Sequence, residues 1–453
     1  MAAAPTNPIA DPEEARRFLA DHPGIAFFEV MFTNLSGVPR GKRLRRHELK
    51  AVYGQGRFLP GSILVCDITG RDCEETGLVW EDGDADRVAW PAPGTLVPAP
   101  WLGDDVGQVI TSMHELDGTP CDLDPRRVLA GVLERFAADG LTPVVACELE
   151  YYLLEAGGLE LAGRPTQHGV YGLREIEDAA PFLRELWRCA DVQGVPLEGV
   201  ISEYAPGQLE LTLRHGPDAL RAADEAVMYK RTAKGVAARQ GLEATFMAKP
   251  FAERAGSGLH LHVSVNDAAG ANIFASDDPA GAPALAHAVG GLKATLADGM
   301  AIFAPNANSY RRFRPNSYAP VAPTWGVNNR TVALRVPAGP PATRHVEHRV
   351  AGADANPYLA LAALLAGVHH GLAGKIDPGP PVVGDGYAAA AASGERLPTT
   401  WSAALAAFEA SAVMADYLGE RFVAMFTKVK RIEQDRFNEV VSALDYDWYL
   451  KNA

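Results

Sequence analysis

An α+β chain of two domains is what this sequence predicts, on three observations. Its 453 residues exceed one comfortable hydrophobic core. Several short segments alternate apolar and polar residues with the period of a half-buried strand. Between them run longer stretches with apolar residues at helical spacing. The strands are unusual in what their second face carries. In Leu259-His260-Leu261-His262-Val263-Ser264-Val265 the aliphatic residues point one way, and His260, His262 and Ser264 point the other. Cys147-Glu148-Leu149-Glu150-Tyr151 places two carboxylates on one face, and Leu209-Glu210-Leu211-Thr212-Leu213 backs one Glu with three leucines. Val346-Glu347-His348-Arg349-Val350 puts Glu347 beside Arg349. Strands of this kind predict a sheet lining a polar cavity.

The elements follow in order. A helix over 11–20 leads into the strand Ile25 to Phe32 and a turn at 34–39, and strand-rich sequence continues to Met113 through the proline-rich stretch 90–100. Asp124 and Pro125 form an N-terminal helix signal, Val128, Leu129, Val132, Leu133 and Phe136 share a face, and Gly140 ends that helix. The boundary between domains is expected near 114–121, giving 1–116 and 117–453. Further helices are expected near 178–192, 218–239, 284–300, 356–373 and 402–446. No repeat recurs at a fixed period, and Ala388 to Ala392 is the only low-complexity tract.

Composition narrows the function classes. Hydrophobic content of 47% and charged content of 22% are those of a globular protein. A formal charge of −14 argues against a nucleic-acid partner and suits cationic or metal-bridged ligands. Five cysteines without paired spacing read as reduced thiols of a cytoplasmic protein, and no secretory signal is expected in Met1 to Pro8. The apolar helix from Tyr358 to about Val368 is too short to cross a bilayer and reads as core.

Any one acidic pair at spacing two is ordinarily a solvated strand face. The set carries more weight: Glu148, Glu150, Glu203, Glu210 and Glu347, with His260, all lie beside apolar or glycine-rich sequence. Carboxylates brought together repel and raise one another's pKa unless a cation neutralises them. Oxygen ligands with one imidazole suit Mg²⁺ or Mn²⁺ better than Zn²⁺. Arg311, Arg312, Arg330, Arg335, Arg344 and Arg349 form a second set. Acids that hold metal beside several arginines are what phosphoryl transfer requires. The plainer reading, arginines paired with acids on solvated loops, is preferred for Arg311 or Arg314 alone.

Gly256-Ser257-Gly258-Leu259-His260-Leu261-His262, Asn308-Ser309-Tyr310-Arg311-Arg312, Asn329-Arg330, and Glu347-His348-Arg349 followed by Asn356-Pro357-Tyr358-Leu359-Ala360 resemble the ordered motifs of class I glutamine synthetases, from Phe28 onward. The resemblance implies an N-terminal β-grasp-like domain, a catalytic domain with a curved antiparallel sheet, and a dodecamer of two hexameric rings with sites shared between neighbours. It implies ATP and Mg²⁺ or Mn²⁺. By the same resemblance, Glu150, Glu203 and Glu210 would hold one metal, and Glu148, His260 and Glu347 a second. Arg312 and Arg349 would contact glutamate and the phosphoryl group, with Gly256 giving backbone contact. Arg330 and Arg335 would face the ATP phosphates, and His262 and Ser264 would lie on the nucleotide side. Glu203, Arg330 and Arg349 would carry catalysis.

Three departures modify that picture. Pro60, in Phe58-Leu59-Pro60-Gly61-Ser62, stands where ammonia-using members carry an ammonium-binding Asp. Tyr318, in Asn316-Ser317-Tyr318-Ala319-Pro320, replaces the flap Glu. Ala255 replaces an Asn before Gly-Ser-Gly. An ammonium stripped of water without paired charge costs several kcal/mol, whereas an alkyl amine can bury its chain against Leu59, Pro60 or Tyr318. The pattern is similar to the γ-glutamyl-polyamine and γ-glutamyl-monoamine synthetase branch, which implies a glutamate–amine ligase. A glutamate–ammonia ligase and a non-catalytic relative are the alternatives. No adenylylated-tyrosine loop is recognisable around 379–387.

Overall fold

A computed structural model describes residues 9–162 and 169–453; the reading of Met1 to Pro8 lies outside them. Two sheets organise the chain. The first contains β1 (Phe27–Thr33), β2 (Pro39–Arg45), β3 (Arg57–Pro60), β4 (Asp86–Pro91), β5 (Val97–Pro98) and β6 (Val106–His114), in the order β2-β1-β6-β4-β3 with β5 on β6. β1 and β6 are parallel and the remaining pairs antiparallel. Phe28, Val30 and Val109 point into a small core with Leu49, Val52 and Tyr53 from the helix Leu49–Gln55.

The second sheet contains β7 (Thr142–Glu155), β8 (Leu197–Ser202), β9 (Gln208–Leu213), β10 (Leu242–Thr245), β11 (Leu259–Asn266), β12 (Trp325–Val327), β13 (Leu334–Val336) and β14 (Val346–His348). Its order is β12-β13-β14-β11-β7-β9-β8, with β10 on the far end of β7. The expectation of an antiparallel sheet needs one correction, because β12 and β13 run parallel at one edge. Their link is short. Asn328 takes a left-handed φ of 47°, and Asn328 N–H donates to the Val336 carbonyl at 2.8 Å, which turns the chain back alongside itself.

The apolar face of this sheet rests on helices. Leu149, Leu211, Leu261, Val263 and Val265 are fully buried, as are Tyr151 and Tyr229, the latter on the helix Ala219–Arg239. Asp218 caps that helix, and Asp124 caps the helix Pro125–Ala138, as its sequence predicts. The apolar helix runs beyond the expected Tyr358 to Val368, over Pro357–Gly374, so by length and composition alone it is not too short to cross a membrane, but 78% of it is buried inside the protein. It is a core helix. All five cysteines are buried and free.

Two of the expected helices are shorter than their sequence suggests. The stretch 402–446 is not one helix but four: Trp401–Ala410, Ala412–Leu418, Glu420–Asn438 and Ala443–Tyr449. Ser411 leaves the helical region and caps the second with its hydroxyl, and Gly419 takes φ +97°, which interrupts the hydrogen-bond ladder. The expected helix at 284–300 ends at Thr295, with a further turn at Met300–Phe303, whereas that near 178–192 is present as Ala180–Gln193, preceded by the short helix Leu173–Asp178.

A buried polar knot ties the last long helix to the first sheet. Glu433 accepts from the Ser36 hydroxyl at 2.9 Å and from Ile68 N–H at 2.7 Å, and Lys430 Nζ lies 2.8 Å from its other oxygen. The Lys430 side chain has no exposed surface. Removing one member of such a pair strands the other charge, at a cost of about 3–5 kcal/mol, whereas replacing both with apolar groups is near neutral. Glu433→Ala should therefore lower stability by that amount in denaturant unfolding, and Lys430→Met with Glu433→Leu should recover most of it. Equal loss in both variants would mean that packing, rather than charge pairing, holds the junction.

Candidate active site

Strand register assembles the site. β11 against β7 sets His260 opposite Glu148, β7 against β9 sets Glu150 opposite Glu210, and β14 against β11 sets Glu347 opposite His262. Because side chains alternate faces, the buried leucines on one side force these groups into the cavity on the other. A slip of one residue would push the carboxylates into the core, so the pattern and the register enforce each other.

His260 sits at the centre. Its Nδ1 lies 3.4 Å from Glu148 Oε2, 3.7 Å from Glu347 Oε1 and 3.9 Å from Glu210 Oε2, and its Nε2 is 3.9 Å from Glu150 Oε1. All four distances exceed a good hydrogen bond. Glu148, His260 and Glu347 form one group able to hold a metal ion, and Glu150, Glu210 and His260 another. The donor set, carboxylate oxygens with a single imidazole, fits Mg²⁺ or Mn²⁺. Glu203 flanks the groups just beyond β8, with its carboxylate accepting from Tyr204 N–H at 3.1 Å.

Glu150 is fixed by its neighbours: Gly258 N–H donates to it at 2.7 Å and Gln208 Nε2 at 3.3 Å. Gln208 also donates to the Gly256 carbonyl at 3.1 Å, so it braces the glycine loop against the acid. Gly256 itself has no space for a side chain, since a Cβ there would fall 2.2 Å from Arg312 Cγ.

Crowding shows in the ionisation of the acids. Burial, reinforced by Glu148 and Glu150, pushes Glu210 up to about 10. Burial and Glu150 raise Glu203 to about 7. For Glu347, burial acts upward, but Arg349 and His260 outweigh it and hold the carboxyl down to about 2. Burial is likewise outweighed at Glu148, which His260 and His262 hold well below the usual carboxylate range. Two acids of the cluster thus keep protons near neutrality in the absence of a counter-cation.

The arginines divide. Arg349 and Arg335 both donate to Glu347, Arg335 at 2.8 Å, and each keeps a buried Nε without a partner. Arg312 is buried beneath the glycine loop and donates to the Val350 and Arg349 carbonyls at 2.9 and 3.4 Å. Arg344, grouped with them by sequence, is spent on the Gly339 and Ser276 carbonyls, which makes it a structural brace. Arg330 is exposed and lines an open groove of about 670 Å³ with Tyr318, Asn328 and Val382. Tyr318 is 58% exposed and holds φ 57°, a left-handed conformation uncommon for a non-glycine residue. Ser264 lies on the same strand face as His260 and His262, half-buried, opposite Val144. Pro60 ends β3 opposite Asp86 in the first sheet, and within one chain it shares no hydrogen bond or described cavity with the cluster.

Sequence reasoning missed Gln208, His215 and His345. Gln208 has the same strand parity as Glu210, a signal that was available. His215 and His345 pack edge-on and tilted against His262, with ring centroids 5.4 and 5.1 Å from it.

The raised acids make a testable statement. A cation entering the cluster must displace the protons of Glu210 and part of those of Glu203, so Mg²⁺ or Mn²⁺ binding near pH 7 should release roughly one to two protons per chain. Calorimetry in buffers of different ionisation enthalpy measures that number. Binding without proton release would show that the acids are already ionised.

Comparison with known proteins agrees with this geometry. Residues 122–449 match the family model for the glutamine synthetase catalytic domain. The chain is 38% identical over 452 residues to gamma-glutamylputrescine synthetase PuuA of Escherichia coli K12, covering 97% of this chain and 95% of that protein. It is 30% identical to the glutamate–isopropylamine ligase of a Pseudomonas species, covering 96% and 97%. Among solved structures, a GmaS/ADP complex superposes with a TM-score of 0.85 at 30% identity, covering 96% of this chain and 98% of that one. The motifs, the sheet that carries them and these relatives lead to one assignment: the chain belongs to the glutamine synthetase family.

Proposed function

We propose that this protein is an ATP-dependent ligase that joins the γ-carboxylate of glutamate to an organic primary amine, releasing ADP and phosphate. The observation that carries the reading is the acid cluster around His260 combined with the loss of acids at Pro60 and Tyr318. The relatives named for putrescine and isopropylamine support the choice of an amine.

The residues fit two divalent cations, Mg²⁺ or Mn²⁺. Glu148, His260 and Glu347 would hold one, and Glu150, Glu210 and Glu203 the other. The cations supply charge neutralisation to the ATP phosphates. Arg349 and Arg335 present unpaired buried Nε donors beside Glu347, placed to meet phosphoryl oxygens. A γ-carboxylate oxygen of glutamate attacks the terminal phosphorus, the bond to ADP breaks, and γ-glutamyl phosphate forms. The amine nitrogen then attacks the acyl carbon, and the C–O bond to phosphate breaks. Glu203, at the edge of the acid cluster, would accept the amine's proton. The Gly256 backbone and Arg312 would shape the glutamate pocket. Arg330, His262 and Ser264 would line the nucleotide side.

Tyr318 offers an aromatic surface where an ammonia-using site needs a carboxylate. Pro60 would complete the amine pocket from a neighbouring subunit, which accords with a dodecamer of two hexameric rings. On this reading residues 1–116 form the pocket-completing domain and 117–453 the catalytic one, in a cytoplasmic enzyme.

Steady-state kinetics with glutamate, ATP and Mg²⁺ test the proposal. Putrescine or a small monoamine should exceed ammonium in kcat/KM by about tenfold or more, roughly 1.4 kcal/mol of transition-state discrimination. Tyr318→Glu should narrow that ratio, since a carboxylate there favours a compact cation that must shed a proton. Ammonium outperforming every amine would identify a glutamate–ammonia ligase instead.

A further inference from the structure

Beside the acid cluster stands a group of different chemistry. His215 follows the end of β9, His262 lies on β11 and His345 immediately precedes β14. One ring nitrogen from each falls within 4.8 Å of the other two. The three rings meet edge-on or tilted, with centroids 5.1 to 5.5 Å apart. No carboxylate belongs to this group.

The hydrogen bonds fix which nitrogens point inward. His345 Nδ1 lies 2.8 Å from the Thr343 carbonyl, an acceptor, so Nδ1 carries the proton and Nε2 keeps its lone pair. That Nε2 lies 3.0 Å from His262 Nδ1. On its other side, His262 Nε2 faces Glu148 Oε1 at 3.1 Å, without the angle of a good hydrogen bond. A proton on Nε2 suits the carboxylate and leaves Nδ1 as a second lone pair directed at His345. Two lone pairs 3.0 Å apart repel unless a proton or a cation lies between them. An imidazole whose outer N–H is taken by a carbonyl, as in His345, is arranged as metal ligands commonly are, and His262 turns its outer nitrogen toward a carboxylate. His215 is exposed and can move to close the third position. Ligand nitrogens of a tetrahedral zinc site are about 3.3 Å apart, close to the spacing that His262 and His345 already have.

We propose that His215, His262 and His345 form a third cation site, selective for Zn²⁺ over Mg²⁺, with the fourth position open to water. Three neutral imidazoles favour a borderline transition metal, whereas Mg²⁺ prefers the oxygens next door. Glu148 orients His262 from the acid cluster, so the two regions are linked through one carboxylate.

The test uses the whole chain with saturating Mg²⁺ and without ATP or glutamate, so its outcome does not depend on the ligase reading. Zn²⁺ titrated calorimetrically should bind the wild-type chain at one site, and Co²⁺ should give the visible absorption of a tetrahedral nitrogen-ligated ion. His215→Ala and His345→Asn remove ligands outside the acid cluster, and each should weaken Zn²⁺ binding at least tenfold and abolish the Co²⁺ spectrum. Circular dichroism checks that both variants are folded; a failure of His345→Asn to fold leaves His215→Ala, at an exposed position, to decide. Zn²⁺ binding equal in wild type and His215→Ala would place the ion in the carboxylate cluster and overturn the proposal. Absence of Zn²⁺ binding to the wild-type chain would overturn it as well.

Discussion

Four carboxylates converge on the His260 imidazole at 3.4 to 3.9 Å, and much of the molecule is arranged to make that convergence possible. Anions so close in a partly buried wall repel one another, and burial together with that repulsion raises Glu210 and Glu203. The opposing force is the packing of the other face. Leu149, Leu211 and Leu261 are buried completely, so the strands cannot slip to relieve the charge without moving leucines into the cavity. Stability is invested in the hydrophobic face, and the polar face is left poised for cations. Arg335 and Arg349 meet Glu347 from the opposite side and set the anionic cluster against guanidinium groups. A site with both signs of charge at such close range is suited to a polyphosphate bridged by metal.

Much of this was legible in the sequence because a strand has a strict period of two. The parity of His260 and His262 in β11, of Glu148 and Glu150 in β7 and of Glu210 in β9 assigned them to one face, and the register then placed them opposite one another. The same rule would have found Gln208, which shares parity with Glu210. It could not have found His215 or His345, which lie past the end of β9 and before the start of β14, where alternation does not apply. Nor could periodicity separate Arg344 from its neighbours. Whether a guanidinium meets a backbone carbonyl or a cavity depends on loops that local pattern does not encode.

The breaks within 402–446 have local causes. Apolar spacing across 402–446 persists through Ser411 and Gly419, yet a hydroxyl that caps and a glycine at positive φ each end the ladder there. The parallel pairing of β12 and β13 was also beyond reach, because two three-residue strands carry too little sequence to show their direction. Pro60 marks a different limit. Its strand belongs to the first sheet, so strand parity and register in the second sheet cannot relate it to the cluster.

Two candidate cation groups share His260 at the centre of the cluster. Titration with Mn²⁺, followed by electron paramagnetic resonance of the free ion, tests most directly whether both hold a cation. Two tightly bound ions per chain should be found, one for each candidate group. Glu347→Gln should bind only one of them tightly, because Glu347 serves a single group. An unchanged count in that variant, or a wild-type chain that binds no Mn²⁺ tightly, would contradict a two-cation cluster.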